Sequence, residues 1–147
     1  MREQLVGHWQ LIEFRHSSKT LAGTQTAGFM SIDPEVLTIV VHATLSNPGP
    51  FEQPLQIQGG AHYWRIDENQ RIQTAAILSH STFNGGPEIE RSLTPREYEP
   101  SLTETELTLR RSDGSQLIFL RVPGLAFPDA AIELIDAAKS GRDPLER

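Results

Sequence analysis

Short runs of β-branched and apolar residues, punctuated by proline, glycine, asparagine and aspartate, occupy nearly the whole chain. That punctuation leaves no room for a helical core before the C-terminus and is the pattern of a β-sandwich or β-barrel. The runs cover residues 7–15, 26–32, 36–45, 55–67, 71–83, 88–94, 103–111 and 116–122, the sixth resuming near Tyr98 after Pro95. Between the seventh and eighth, Ser112-Asp113-Gly114-Ser115 is the strongest hairpin signal, because Asp-Gly supplies the positive φ angles that a primed turn needs. After Pro123-Gly124 the period changes. Ile132, Leu134, Ile135 and Ala138 recur at helical spacing within 130–139, in a helix expected over about 128–140, and Ser140-Gly141 ends it. Ile132 and Ile135 are expected to face the wall of the domain, with Phe127 anchoring the entry.

Eight strands in hairpin order suit closure, since a closed sheet has no exposed edge. The expected fold is therefore mainly β: an eight-stranded antiparallel up-and-down barrel over about 5–123 with a C-terminal α-helix, the 147 residues forming one domain. A barrel of this size is either filled by side chains or holds one small ligand.

Composition narrows the function. Thirteen basic against 19 acidic residues give a net charge of −6, which disfavours nucleic acid as a partner. Arg110 and Arg111 are adjacent, and neighbours on a strand point to opposite faces. The absence of cysteine removes disulfides, thiolate nucleophiles and Cys-zinc sites, and it fits a reducing cytoplasm. No apolar run approaches the ~20 residues of a membrane span, and residues 1–6 have no apolar core of a signal peptide. Cytoplasmic localisation is the resulting expectation, and a homodimer is left open.

The opening Leu5-Val6-Gly7-His8-Trp9 carries the Gly-x-Trp mark and resembles the first strand of lipocalin-like (calycin) proteins, most closely bacterial lipocalin-like domains. Gly28-Phe29-Met30 and Trp64-Arg65-Ile66-Asp67 add to the likeness. The resemblance implies structural roles for Gly7, Trp9 and Arg121, with Trp9 at the closed end of the barrel and Arg121 of the last strand packed across it. It also implies a small-molecule ligand. The Gly-x-Trp-x-Gly-x-Gly start of haem-binding nitrobindins is missing, so no cofactor is expected.

Alternation supplies a candidate lining. His62, Trp64 and Ile66 share one face of the fourth run; Ile72, Thr74, Ala76, Leu78 and His80 share one face of the fifth; Ile89, Arg91 and Leu93 share one face of the sixth. An interior bearing His62, Trp64, His80 and Arg91 is an apolar cavity with a few polar groups, the usual make-up of a small-molecule site. Arg91 either offers its fork to a ligand carboxylate or faces solvent beside Glu90. The five histidines show no metal-ligand spacing, so no metal is expected, and His42 is placed outward. Ser79-His80-Ser81 cannot form a nucleophile–base pair on one strand, so no catalytic residue is assigned. Glu97, Glu99, Glu104 and Glu106 read as a wet outer face. The favoured function is binding of a small apolar or acidic ligand inside the barrel. An isomerase- or cyclase-like enzyme on the same barrel, or a filled barrel with a structural or oligomerisation role, are the alternatives.

Overall fold

In a computed structural model the chain forms a closed antiparallel β-barrel followed by a helix. The structure describes residues 1–16, 18–47, 55–82, 88–90, 93–124 and 128–141, without the side chains of residues 88 and 90. A short helix α1 (Arg2–Leu5) leads into strands β1 (Gly7–His16), β2 (Lys19–Ala22), β3 (Thr26–Ile32), β4 (Val36–Thr44), β5 (Leu55–Ile66), β6 (Ile72–Ser81), β7 (Glu88–Glu90), β8 (Pro95–Leu102), β9 (Glu106–Arg110) and β10 (Gln116–Val122), and α2 spans Asp129–Lys139.

Eight strands make the ring, in the order β1-β3-β4-β5-β6-β8-β9-β10, and β10 pairs with β1 to close it. The other two strands extend its walls. β2 pairs with the second half of β1, whose first half pairs with β3, and β7 pairs with the end of β6, whose start pairs with β8. Two details depart from the sequence expectation. β2 has no counterpart among the expected runs. The region expected as the sixth strand holds two, and β8 carries both Pro95 and Pro100. Pro100 is tolerated because β6 pairs with β8 only as far as Tyr98, leaving β9 as its one described neighbour.

Alternation sets what faces inward. In β4, Leu37, Ile39, Val41 and Ala43 are buried between exposed Thr38, Val40, His42 and Thr44. Two bulges reset that phase. In β1 the register with β10 shifts between Leu11 and Glu13, so Trp9 and Leu11 are followed inward by Phe14. In β6 the register with β5 runs from His62↔Ala76 to Ala61↔Leu78, which leaves Ile77 as the extra residue. Ile72, Thr74 and Ala76 are buried before that bulge and Ser79 after it, while Leu78 is exposed. Opposite the bulge, β5 carries Gly60, where a Cβ would lie 2.4 Å from the Leu78 carbonyl oxygen.

The core is one cluster running from Leu5 of α1 to Phe14, Leu21 and Ala43 toward the other end. Trp9, Met30, Leu107 and Phe119 have essentially no exposure and join Leu11, Ile39 and Ile72 in one cluster. The β9–β10 hairpin differs in type from the sequence expectation. Arg111 and Ser115 close a three-residue loop in which Gly114 has φ +85° and Asp113 has no positive φ, so it is not a two-residue primed turn. The helix α2 falls where expected, but Ile132 and Ile135 remain 43% exposed and only Ala137 of the helix is buried. The apolar pair is therefore not shut against the wall. Phe127 lies outside the described residues.

Candidate ligand-binding site

One end of the barrel is shut by α1 and two indoles. Trp9 Nε1–H donates to the Leu5 carbonyl at 3.0 Å, and the Arg121 guanidinium carbon lies 4.1 Å from the Trp9 ring centroid. Arg121 also donates from Nε to Glu104 O at 3.2 Å, from Nη1 to Val6 O at 3.4 Å, and from Nη2 to Gln4 O. Gly7, at φ +142°, lies under this guanidinium, and a Cβ there would meet Arg121 Nη1 at 3.1 Å. Left-handed backbone and close approach together call for glycine before the tryptophan. Trp64 repeats the arrangement. Its Nε1–H donates to Asp33 O at 2.7 Å, and Arg2 of α1 stacks 4.3 Å from its ring while donating to Pro34 O. Each ring thus has a cation over its face and its N–H satisfied.

The expected ligand-lining set is only partly brought together. His62 and Trp64 face inward, 4% and 6% exposed, with His62 between Leu37 and Ala76 in register. Trp64, however, belongs to the shut end, tied to the Asp33-Pro34 turn and to α1. His80 does not join them. The bulge at Ile77 reverses its phase, and its register partner Gly59 is in turn paired with outward, exposed Val40. Arg91 lies outside the described residues. His42 is exposed, and no three His, Cys, Asp or Glu among the described residues are grouped to hold a metal ion.

The opposite end is where β1 meets β2 and where Thr44 of β4 pairs with Leu55 of β5. A cavity of about 60 Å³ is lined by Phe14, Leu21, Ala43, Leu45 and Gln56, with His16 and Lys19 at its rim. Phe14 and His16 stack, with centroids 6.1 Å apart. The inward side chains here are a mixture: apolar Phe14 and Leu21, and buried polar Gln56, Gln58, Thr26 and Ser115. Four larger, solvent-open hollows accompany it among the described residues. One of about 580 Å³ is lined by Tyr63, Trp64, Arg65, Thr74, Arg96 and Glu97, and one of about 620 Å³ lies beside Met1, Gln4, Glu104 and Arg121. One of about 310 Å³ lies over Phe29, Val40 and His42, and one of about 300 Å³ over Arg71, Glu97, Glu99 and Arg111.

Arg111 turns inward from the end of β9. Its Nε–H donates to Ser115 Oγ at 2.8 Å, Nη1 donates to Gln58 Oε1 at 3.4 Å, and its guanidinium carbon lies 5.8 Å from the Phe14 ring centroid. Asp113 Oδ1 accepts from Ser115 N–H at 2.8 Å and from Ser115 Oγ–H at 2.6 Å. Burial works to raise the Asp113 pKa, but the two Ser115 donors and the charges of Arg111 and His16 outweigh it and hold the carboxyl below its ordinary value. Tyr98 is inward and partly buried. Burial pushes its phenol pKa up against the opposing pull of the Arg111 and Arg96 charges. Sequence reasoning passed over Arg111, although the adjacent pair Arg110-Arg111 on one strand already required one of the two to turn inward.

No protein-family model matches the chain, and no curated protein matches it in sequence.

Proposed function

We propose that the chain is a lipocalin-like binding protein for a small apolar or amphipathic molecule, which enters at the end opposite α1. The observation that carries this reading is the asymmetry of the barrel. One end is stoppered by Trp9 and Trp64 under two arginines, and the other holds a cavity with an apolar wall and a few polar groups. The cavity has room for about two water molecules, so the ligand seats its head there and leaves its body at the rim. His62 lies deeper, inside the packed part. The filling of that part by Trp9, Met30, Leu107 and Phe119 favours a second reading, a barrel with a purely structural role.

Titration with a broad panel of apolar and amphipathic molecules, read by calorimetry, separates the two. Saturable one-to-one binding that disappears when Ala43→Trp fills the cavity supports the carrier. Absence of saturable binding across the panel, in protein that still unfolds cooperatively, leaves the structural reading.

A further inference from the structure

We propose that the outer wall formed by β3, β4, β5 and β6 is the surface on which two copies of this chain meet as a symmetric dimer. The inference goes beyond the binding reading and does not depend on it. In a chain of 13 basic and 19 acidic residues, β3, β4 and β6 contain no Asp, Glu, Lys or Arg at any position, and β5 contains Arg65 alone. Alternation splits each strand into an inner and an outer set. A core demands an inner set free of charge, but an outer set that meets water is ordinarily polar. Across the ring, β8 and β9 follow that rule and turn out Glu97, Glu99, Glu106 and Arg110.

The uncharged wall carries large apolar side chains instead. Phe29, Val40, Leu78 and Tyr63 are 39%, 44%, 50% and 53% exposed, and Ile89 of β7 at its margin is 63% exposed. They are joined in register. Phe29 pairs with Val40, Val40 with Gly59, Gly59 with His80 and His80 with Ile89, so one row crosses the wall from β3 to β7. The hollow of about 310 Å³ over Phe29, Val40 and His42 is cut into the same wall. At roughly 200 Å² for a fully exposed large side chain, these five leave about 500 Å² of apolar surface in water. That is as large as the greatest such patch on an ordinary monomer, where it usually marks an interaction site.

Charge and area both select a second copy as the occupant. Two copies of a chain with net charge −6 repel each other, and contact through this wall brings no like charges together. A face without sign is complementary to itself, as a two-fold contact requires, whereas a partner of opposite charge would find nothing on it to pair with. Two such patches remove about 1,000 Å² in total, which reaches the size of a specific interface at the low end of the range. The projecting Tyr63 and the Phe29–Val40 hollow share the wall, so a two-fold rotation can turn the ring of each copy toward the hollow of the other. A lipid surface is served less well, because Arg65 is the one basic residue in the four strands.

Sedimentation velocity over about 1–200 µM protein tests the assignment. The wild type should pass from the mass of one chain to twice that mass, with a dissociation constant in the micromolar range expected of a small interface. Val40→Glu and Leu78→Glu each set a carboxylate in both halves of the contact and should raise that constant at least ~10-fold. Both side chains are already about half exposed, so the barrel should tolerate them, and either variant serves where the other loses its strand signal in circular dichroism. Glu106→Gln, on the opposite wall, should leave the constant unchanged. A wild type that keeps the mass of one chain throughout overturns the dimer. A dimer equally tight in both glutamate variants also overturns it, because the contact then lies elsewhere. A single-chain wild type that sediments with phosphatidylcholine vesicles overturns it too, and gives the wall to a lipid surface.

Discussion

Gly59 and Gly60 are neighbours on one strand, yet alanine should act on them in opposite directions. A Cβ on Gly60 would lie 2.4 Å from the Leu78 carbonyl oxygen and 2.8 Å from both Cα and Cβ of Ser79. These distances fall about 1 Å short of ordinary van der Waals contact. Two of the three obstructing atoms are backbone, so no rotamer change relieves the overlap, and β6 must move away from β5 at its bulge. Overpacking of this kind costs about 1–3 kcal/mol, and a backbone obstacle puts Gly60→Ala near the upper end. At roughly 2–4 °C per kcal/mol for a chain of this size, the midpoint of melting should fall by about 6–12 °C. At Gly59 the nearest atoms to a new Cβ are Ile39 O at 3.4 Å and Val40 Cγ2 at 3.6 Å, which is ordinary contact. Gly59→Ala should therefore be neutral or stabilise by about 0.4–1 kcal/mol through the lower entropy of the unfolded chain. Urea unfolding followed by tryptophan fluorescence measures both. Equal midpoints for the two variants would refute the argument that the bulge presses backbone onto Gly60.

Two other expectations follow from packing and charge. Phe119→Ala should cost about 3–5 kcal/mol in urea unfolding, because that ring is fully buried, whereas Ile132→Gln on α2 should cost less than about 1 kcal/mol, because that side chain is 43% exposed. The raised pKa of Tyr98 means that its phenol ionises more readily unfolded than folded, so its share of stability is complete below the unfolded value of about 10 and is lost as pH rises through the folded one. Tyr98→Phe should therefore lose less stability than the wild type between pH 9 and 11, and parallel pH profiles would contradict the burial of the hydroxyl.

The barrel was legible in the sequence because its evidence is local. Each strand announces itself by β-branched content and each turn by proline, glycine or aspartate, as in the Val36–Thr44 strand followed by Ser46-Asn47. The bulges were not legible. Ile77 inserts one residue and carries His80 from the inner set to the outer, and nothing in the string Ala75-Ala76-Ile77-Leu78-Ser79 marks it, since all five residues fit either face. Trp64 is buried and tied to the Asp33-Pro34 turn, a position along the barrel axis that alternation does not give, because alternation fixes the face of a residue and not its height. The cluster around Arg111 escaped for a related reason. It depends on Arg111 turning inward across the sheet to Gln58, a meeting between residues far apart in the chain.

Closure of the ring by β1 and β10 has a consequence for synthesis. Trp9 is the register partner of Arg121, so the strands that complete the barrel come from opposite ends of the sequence. On the ribosome β1 emerges first and waits for nearly the whole chain before its closing partner exists. Until then the nascent sheet has β1 at one margin and the newest strand at the other, both with unsatisfied ladder hydrogen bonds. Folding is thereby governed by its least local contact, joined late and against the entropy of closing a long loop. A stop anywhere before residue 122 produces not a smaller barrel but an open sheet with two adhesive edges, and such fragments should be recovered as aggregates or as protease substrates.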